Sequence, residues 1–300
     1  MKKLILGTRA SALAMAQAEL TLASLQRAYP ETEVTVRKFT TSGDRKLDIS
    51  LIKATPAGAK GLFTKELEEA LLRREIDVAV HSCKDMPGEM HDGLVLAAVL
   101  ERADTADVLV TKTGGPLPPG AHIATSSVRR ARQLQFRFPD LVIQEIRGNV
   151  ASRLRKLRES ETLHGTVLAK AGLDRLGYKM EDGILHSDEG QFHVQIADML
   201  PAIGQGAIAL QSRVEDAPFF AALNHEPTWL AIRAERELMR LLQGDCSLPV
   251  GVITEIGANE MRMRVILFGT PEEPPRQAEV TAATPETLAD KAYQVLNQPS

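Results

Sequence analysis

The sequence predicts an α/β protein: two lobes built on mainly parallel sheets, followed by a small C-terminal α+β module. Three observations carry this reading. Over the first two hundred residues, short aliphatic or β-branched runs alternate with amphipathic stretches, which is the pattern of βα units. Beyond Trp229 the alternation gives way to one long helix, two strands and a last helix. A content of 44% hydrophobic and 25% charged residues over 300 positions supplies enough apolar chain for two or three cores.

The elements follow in order. Strands are expected at 4–6, 34–39, 78–80, 94–99, 108–111, 122–125, 142–146 and 166–170. The first helix spans 11–28, because Ser11 offers an N-cap oxygen and Pro30 prevents continuation. Further helices start near Thr64, Val128 and Val150, and the glycines and prolines between Thr113 and Gly120 mark a turn-rich connection. A break in composition at 101–104 closes the first lobe. In the module a helix runs from Trp229 through Leu242, strands occupy 250–258 and 261–268 with Asn259 and Glu260 at the hairpin tip, and a final helix covers 285–296.

Composition excludes several classes. No window approaches the roughly 18 uninterrupted apolar residues of a membrane span. The apolar run after Met1 is cut by Thr8 and Arg9, short of the roughly 7–15 residues of a signal-peptide core, so a cytoplasmic chain is expected. The two cysteines, Cys83 and Cys246, form no C-x-x-C pair, and the seven histidines show no H-E-x-x-H spacing, so no metal is expected. Aromatic residues make up 4% of the chain and no recognition motif accompanies its arginines, which argues against a nucleic-acid partner.

Charge is distributed unevenly. The chain carries a net −3, yet between 129 and 158 nine basic residues face two acids, Asp140 and Glu145, which points to a local anionic ligand. Three strand ends have the chemistry to hold one: Gly7, Thr8, Arg9, Ala10, Ser11; Thr125, Ser126, Ser127, Val128, Arg129, Arg130; and Arg147, Gly148, Asn149. Open α/β sheets bind ligands beyond the carboxyl ends of their strands, where the next helix offers free N–H groups and arginine adds a planar fork for carboxylates. The other reading makes the hydroxyl and amide residues plain helix caps and the arginines solvated. Arg153, one turn past Gly148, is placed to reach a ligand, whereas Arg155, Lys156 and Arg158 are assigned to solvent. A further strand end carries Lys84 and Asp85. In a cleft of guanidinium groups Asp85 would stabilise a developing cation or move a proton; as a turn residue before Pro87 it would do neither. Cys246, beside Gly244 and Asp245, is either a packed thiol or one placed to meet a bulky electrophile. Cys83 reads as a packing residue.

Eight motifs stand in order: T-R-A-S at 8–11, A-K-G-L-F at 59–63, H-S-C-K-D-M-P at 81–87, T-S-S-V-R-R at 125–130, R-G-N-V at 147–150, A-G-L-D-R-L at 171–176, G-Q-G-A at 204–207 and G-D-C-S-L-P at 244–249. Through them nearly the whole chain resembles the porphobilinogen deaminases, or hydroxymethylbilane synthases. The resemblance implies a transferase of heme biosynthesis that joins porphobilinogen units head to tail with loss of ammonia, releasing hydroxymethylbilane. It implies a dipyrromethane cofactor in thioether linkage to Cys246, with Lys84, Ser127, Arg129, Arg130, Arg147 and Arg153 on its acetate and propionate groups. It further implies Arg9, Ser11, Lys60 and Arg175 as substrate-binding residues and Asp85 as the catalytic carboxylate. In the implied reaction ammonia departs to leave an azafulvene-type cation, a free pyrrole α-carbon attacks it, and Asp85 stabilises the charge and assists proton loss. The resemblance also implies lobes of the periplasmic-binding-protein type, at 1–101 with 197–215 and at 102–196, a cofactor-anchoring module at 216–300, a lid over 41–61, and a monomer. Cys83, Asp245 and Ala59 depart from the family pattern, and Asp245 adds an acid that would raise the neighbouring thiol's pKa. The rival reading, a binding protein for a small polyanion without chemistry, leaves Asp85 and Cys246 unexplained.

Overall fold

Strand β1 (Lys3–Arg9) opens the chain in a computed structural model that describes residues 3–40, 64–244, 248–270 and 273–298. It leads into α1 (Ala12–Ala28), β2 (Glu33–Phe39), α2 (Lys65–Leu72), β3 (Val78–Ser82) and β4 (Leu94–Val99). The second unit contains β5 (Asp107–Thr111), β6 (His122–Ala124), α3 (Val128–Arg137), β7 (Val142–Gln144), α4 (Val150–Glu159), β8 (Leu163–Ala169), α5 (Lys170–Arg175), β9 (Lys179–Glu181), β10 (Ile184–Ser187) and β11 (Gly190–Ala197). The chain then returns as β12 (Ile208–Arg213) and ends in α6 (Glu226–Leu241), β13 (Val250–Ile256), β14 (Met261–Leu267), β15 (Arg276–Ala282) and α7 (Pro285–Leu296).

Among the described residues three sheets result, in the orders β2-β1-β3-β12-β4, β7-β6-β8-β5-β11-β10-β9 and β13-β14-β15. The α/β class with a small third module is the expected one, but the two large sheets are mixed. Their parallel joins are β1 with β2 and β3, and β6 with β7 and β8; the other joins are antiparallel. The cause is topological. Strands β5 and β12 enter their sheets from the other lobe, without a helical crossover to impose parallel pairing, and β9 to β11 are joined as hairpins.

Each sheet buries its own cluster. Leu6, Val80 and Leu210 pack under Ala18 and Leu25 of α1; Val110 and Leu168 pack with Leu154 and Leu157 of α4; Val252 and Met263 pack with Leu238 of α6 and Leu288 of α7. The first helix begins where expected, with the Ser11 hydroxyl accepting from the Ala14 amide. In the third sheet Ile256 pairs with Met261, and the Gly257 amide closes the tip onto the Glu260 carbonyl at 2.9 Å. Two crossings, 100–106 and 198–207, connect the large sheets. They are tied by the Ala103 amide on the Gly206 carbonyl at 3.1 Å. Gly206 has φ +85°, and a Cβ there would lie 2.4 Å from the Ala103 carbonyl oxygen.

Candidate active site

The carboxyl end of β3 turns directly into a single 3-10 turn, Cys83–Asp85. Two contacts fix it: the Cys83 amide donates to Ala207 O at 3.0 Å, and the Met86 amide to Cys83 O at 3.1 Å. Behind it Cys83 is buried against Gly204, where a Cβ would stand 2.8 Å from the Cys83 Sγ. Burial pushes that thiol up to about 11, as expected of a packing residue. Ser82 shares a hydrogen bond with the Gln17 side chain of α1. His81 lies under the strand end near Arg9, bonded to Gln211 at 3.0 Å, and burial lowers its pKa to about 4.

Across the crossings stand the ends of β6 and β7. Ser127 caps α3, accepting from the Arg130 amide at 3.4 Å, and Asn149 caps α4, accepting from the Ser152 amide at 2.8 Å. Both residues cap as read, and a cap satisfies only part of a helix N-terminus, leaving other N–H groups there for an acceptor. Arg129 and Arg130 are buried and share Asp107, the first residue of β5. Arg129 Nη1 reaches Asp107 Oδ2 at 2.7 Å, and Arg130 Nη2 reaches Oδ1 at 2.7 Å. Burial alone would raise the Asp107 pKa, but Arg130 and Arg129 outweigh it and hold the carboxyl well below the usual range.

Arg147 donates through Nε to Glu145 at 3.0 Å, and Arg153 through Nε to Gly148 O at 2.8 Å. Lys84 lies 3.4 Å from Gln205 Oε1. Burial, then Arg130, lowers its pKa to about 8, against the opposing pull of Asp85 and Asp107. Burial, then Arg130, likewise lowers Arg153 to about 10, with Asp85 opposing and Arg147 adding to the fall. Lys84, Asp85, Arg129, Arg130, Arg147 and Arg153 therefore share one electrostatic neighbourhood, although they come from three strand ends.

Arg155, Lys156 and Arg158 lie on the exposed face of α4, as expected. Arg175 packs on the second crossing, beside the Gln205 that Lys84 contacts. Its Nη2 donates to Gly206 O at 2.6 Å, and it lines a groove beside the crossings with Glu19, Arg102 and Asp174. Cys246, Lys60 and the expected lid at 41–61 lie outside the described residues. Among the described residues no group of three or more His, Cys, Asp or Glu is placed to hold a metal ion.

Sequence reasoning missed Asp107, Gln205 and Glu235. Asp107 heads an otherwise apolar strand, and Glu235 falls on the helical stripe of Ala231, Ile232, Leu238 and Met239. An acid inside an apolar pattern was the available signal.

Family models and sequence relatives point to one family. A family model described as porphobilinogen deaminase, dipyromethane cofactor binding domain, matches residues 4–220, and one described as porphobilinogen deaminase, C-terminal domain, matches residues 229–296. The porphobilinogen deaminase of Pelobacter propionicus is 43% identical over 267 residues, covering 87% of this chain and 82% of the relative. That of Shouchella clausii is 43% identical over 278 residues, covering 91% and 86%. That of Alkaliphilus metalliredigens is 41% identical over 269 residues, covering 88% and 81%.

Proposed function

The chain belongs to the porphobilinogen deaminase family, joining porphobilinogen head to tail into hydroxymethylbilane on a dipyrromethane cofactor, and on that premise we propose which of its residues do the work. Cys246 anchors the cofactor through a thioether. Lys84, Ser127, Arg129, Arg130, Arg147 and Arg153 hold cofactor carboxylates. Arg9, Ser11, Lys60 and Arg175 bind the incoming unit, and Asp85 is the catalytic carboxylate.

The observation that carries this reading is a pair of buried donors without partners among the described residues, Arg129 Nε and Arg147 Nη2. A buried N–H left unpaired costs about 1–3 kcal/mol, more on a charged group, so both fit a site completed by acceptor oxygens. Acetate and propionate groups supply such oxygens. The chain leading to the cysteine supports this reading as well: Gly244, two residues before Cys246 in sequence, packs on Gly88, where a Cβ would stand 3.1 Å from Gly244 O, and Gly88 follows Asp85 by three residues.

When bound, dipyrromethane supplies the primer whose free α-carbon takes up the first unit. The protein's own part is electrostatic. Cations orient the substrate's two carboxylates, and the Asp85 carboxylate faces the positive charge that develops on the pyrrole nitrogen as ammonia departs, then accepts the proton lost. Lys84 is a cation below about pH 8 and binds carboxylate best there.

Of the domain division 1–101 with 197–215, 102–196 and 216–300, the lobe boundaries are supported by the two crossings and by the place of β12 beside β3, while Phe220 and Leu223 pack in the first lobe's cluster. We further propose a cytoplasmic monomer without a nucleic-acid or membrane partner. Among the described residues no helix is long and apolar enough to cross a membrane, and sizing by light scattering checks the monomer.

Intact mass spectrometry tests the assignment. The purified protein should exceed its polypeptide mass by one dipyrromethane, Cys246→Ser should lack that increment, and Asp85→Asn should keep it while losing turnover. A wild-type protein that turns over porphobilinogen at bare polypeptide mass would overturn the anchor; an active Asp85→Asn would overturn the catalytic role.

A further inference from the structure

Asp107 gathers more of the cleft than any sequence motif suggests. Its side chain is fully buried. Oδ2 accepts from Arg129 Nη1 at 2.7 Å, while Oδ1 accepts from Arg130 Nη2 at 2.7 Å, Arg130 Nε at 3.2 Å and Gln205 Nε2 at 2.9 Å. Gln205 is also buried. Its Nε2 donates to Thr105 O at 2.7 Å as well, which turns Oε1 toward Lys84 Nζ at 3.4 Å. A continuous polar path therefore runs from α3 through Asp107, on the first crossing's exit, and Gln205, on the second crossing, to the turn that carries Asp85.

The bonds also select faces. Arg129 Nη1 is used twice, by Asp107 and by Leu200 O at 2.7 Å, which leaves the edge containing the unpartnered Nε. An Nε–Nη2 edge is one of the two sides on which a guanidinium takes a carboxylate with two parallel bonds. Arg130 is held on three nitrogens, its Nη1 donating to Val167 O at 2.8 Å. One carboxylate against two guanidiniums leaves a single net positive charge, directed outward by the fixed forks.

We propose that Asp107 is the positioning residue of the anion site, fixing the ligand-facing edges of Arg129 and Arg130 and, through Gln205, holding them in register with Lys84 and Asp85 across the two crossings. This rests on the reading that Arg129, Arg130 and Lys84 hold carboxylates of cofactor or substrate. A purely structural ion pair would stabilise the fold without setting how well the cleft works. A positioning role couples the pair to Lys84, whose charged neighbours are Asp85 on its own turn, Arg129 and Arg130 on α3, and Asp107 on β5. Asp107 raises the Lys84 pKa; without that negative charge Lys84 loses its proton at lower pH.

The test uses the full-length holoenzyme and four variants: Asp107→Asn, Gln205→Met, Arg129→Lys and Arg130→Lys. For each, intact mass reports cofactor content, steady-state kinetics give kcat and KM for porphobilinogen across pH, and thermal melting reports folding. We expect Asp107→Asn to lower kcat/KM about 10- to 100-fold, the scale of a misplaced binding group, and to move the alkaline limb of the profile toward lower pH. Gln205→Met cuts the path while leaving Asp107 on both arginines. It should shift the same limb with cofactor content retained, and it decides the matter if Asp107→Asn does not fold. Should both arginine variants lose activity while Asp107→Asn and Gln205→Met keep wild-type kinetics and pH profile, the positioning role is wrong. A loss of melting temperature in those two variants with an unmoved limb and unchanged KM would reduce Asp107 to a structural residue. Wild-type behaviour of both arginine variants would instead refute the seats themselves.

Discussion

Removing Glu235 should uncouple the cofactor module from the lobes. Its side chain is fully buried on α6, and Arg102, 11% exposed, reaches it with two bonds of 2.7 and 3.0 Å. The same carboxylate accepts from the Gly204 amide at 2.8 Å and the Thr254 amide at 3.3 Å. It thus joins the first crossing, the second crossing and the third sheet. Glu235→Ala leaves a buried guanidinium uncompensated, at about 3–5 kcal/mol. It also strips two amides of an acceptor, at about 1 kcal/mol or more each. These effects overlap, so a total near 5 kcal/mol is expected, a large part of the roughly 5–15 kcal/mol that holds a domain folded. Glu235→Gln keeps an acceptor and should lose less. The assay is urea unfolding followed by fluorescence of Trp229, the single tryptophan, which packs with Cys83, Met86 and Ile232 and so reports how α6 sits on the Asp85 turn. Arg236, the next residue, donates to Pro87 O at 2.9 Å and Gly88 O at 3.1 Å, so loosening α6 should also lower turnover. A destabilisation of Glu235→Ala below about 1 kcal/mol, the value of an exposed pair, would refute the reasoning.

Three further outcomes are expected. Gly206→Ala places a Cβ 2.4 Å from a backbone oxygen at a positive φ, and should cost about 2 kcal/mol or more by calorimetry; an unchanged melting temperature would mean the crossings yield freely. Lys84 has a folded pKa of about 8, below its unfolded value, so the burden of keeping it charged in the fold is present below pH 8 and is relieved as pH rises toward the unfolded value. Over the same rise the KM for porphobilinogen should increase, and Lys84→Arg, charged throughout, should lack that limb; the same limb in both proteins would assign it elsewhere. Cys83, with its thiol pushed up to about 11, should resist iodoacetamide at pH 8 in the native protein and react after denaturation, as read by peptide mapping.

Local chemistry made much of the molecule legible. Ser11, Ser127 and Asn149 could be read as caps because a hydroxyl or amide stands one residue before a helical pattern, and each caps as read. The turn at Lys84 and Asp85 could be placed because it follows closely on the apolar run Val78, Ala79 and Val80 that opens its strand. The return strand β12 was beyond a linear reading, since nothing in Ile208–Arg213 states which sheet it joins. Strand β11 was missed although Phe192, Val194 and Ile196 alternate; its outer positions are polar and the strands before it are very short. For the site, sequence identified the cations but not their state. Whether Arg129 faces a ligand freely or is tied to a carboxylate 22 residues away depends on the crossing that brings Asp107 beneath α3.

That difference alters how the cleft treats an anionic chain. Five cations beside Asp85 and Asp107 repel one another, and two of them, Lys84, lowered to about 8, and Arg153, lowered to about 10, respond first to burial and then to Arg130. A carboxylate entering among them relieves the repulsion and raises both values again. By linkage, binding near pH 8 must draw a proton onto Lys84, and affinity must fall as pH rises past that point. Arg129 and Arg130 are instead tied to Asp107, whose carboxylate offsets half their formal charge before any ligand arrives. The fixed pair therefore supplies geometry, while Lys84, on the turn that also bears Asp85, supplies the response of the site to how much negative charge it holds.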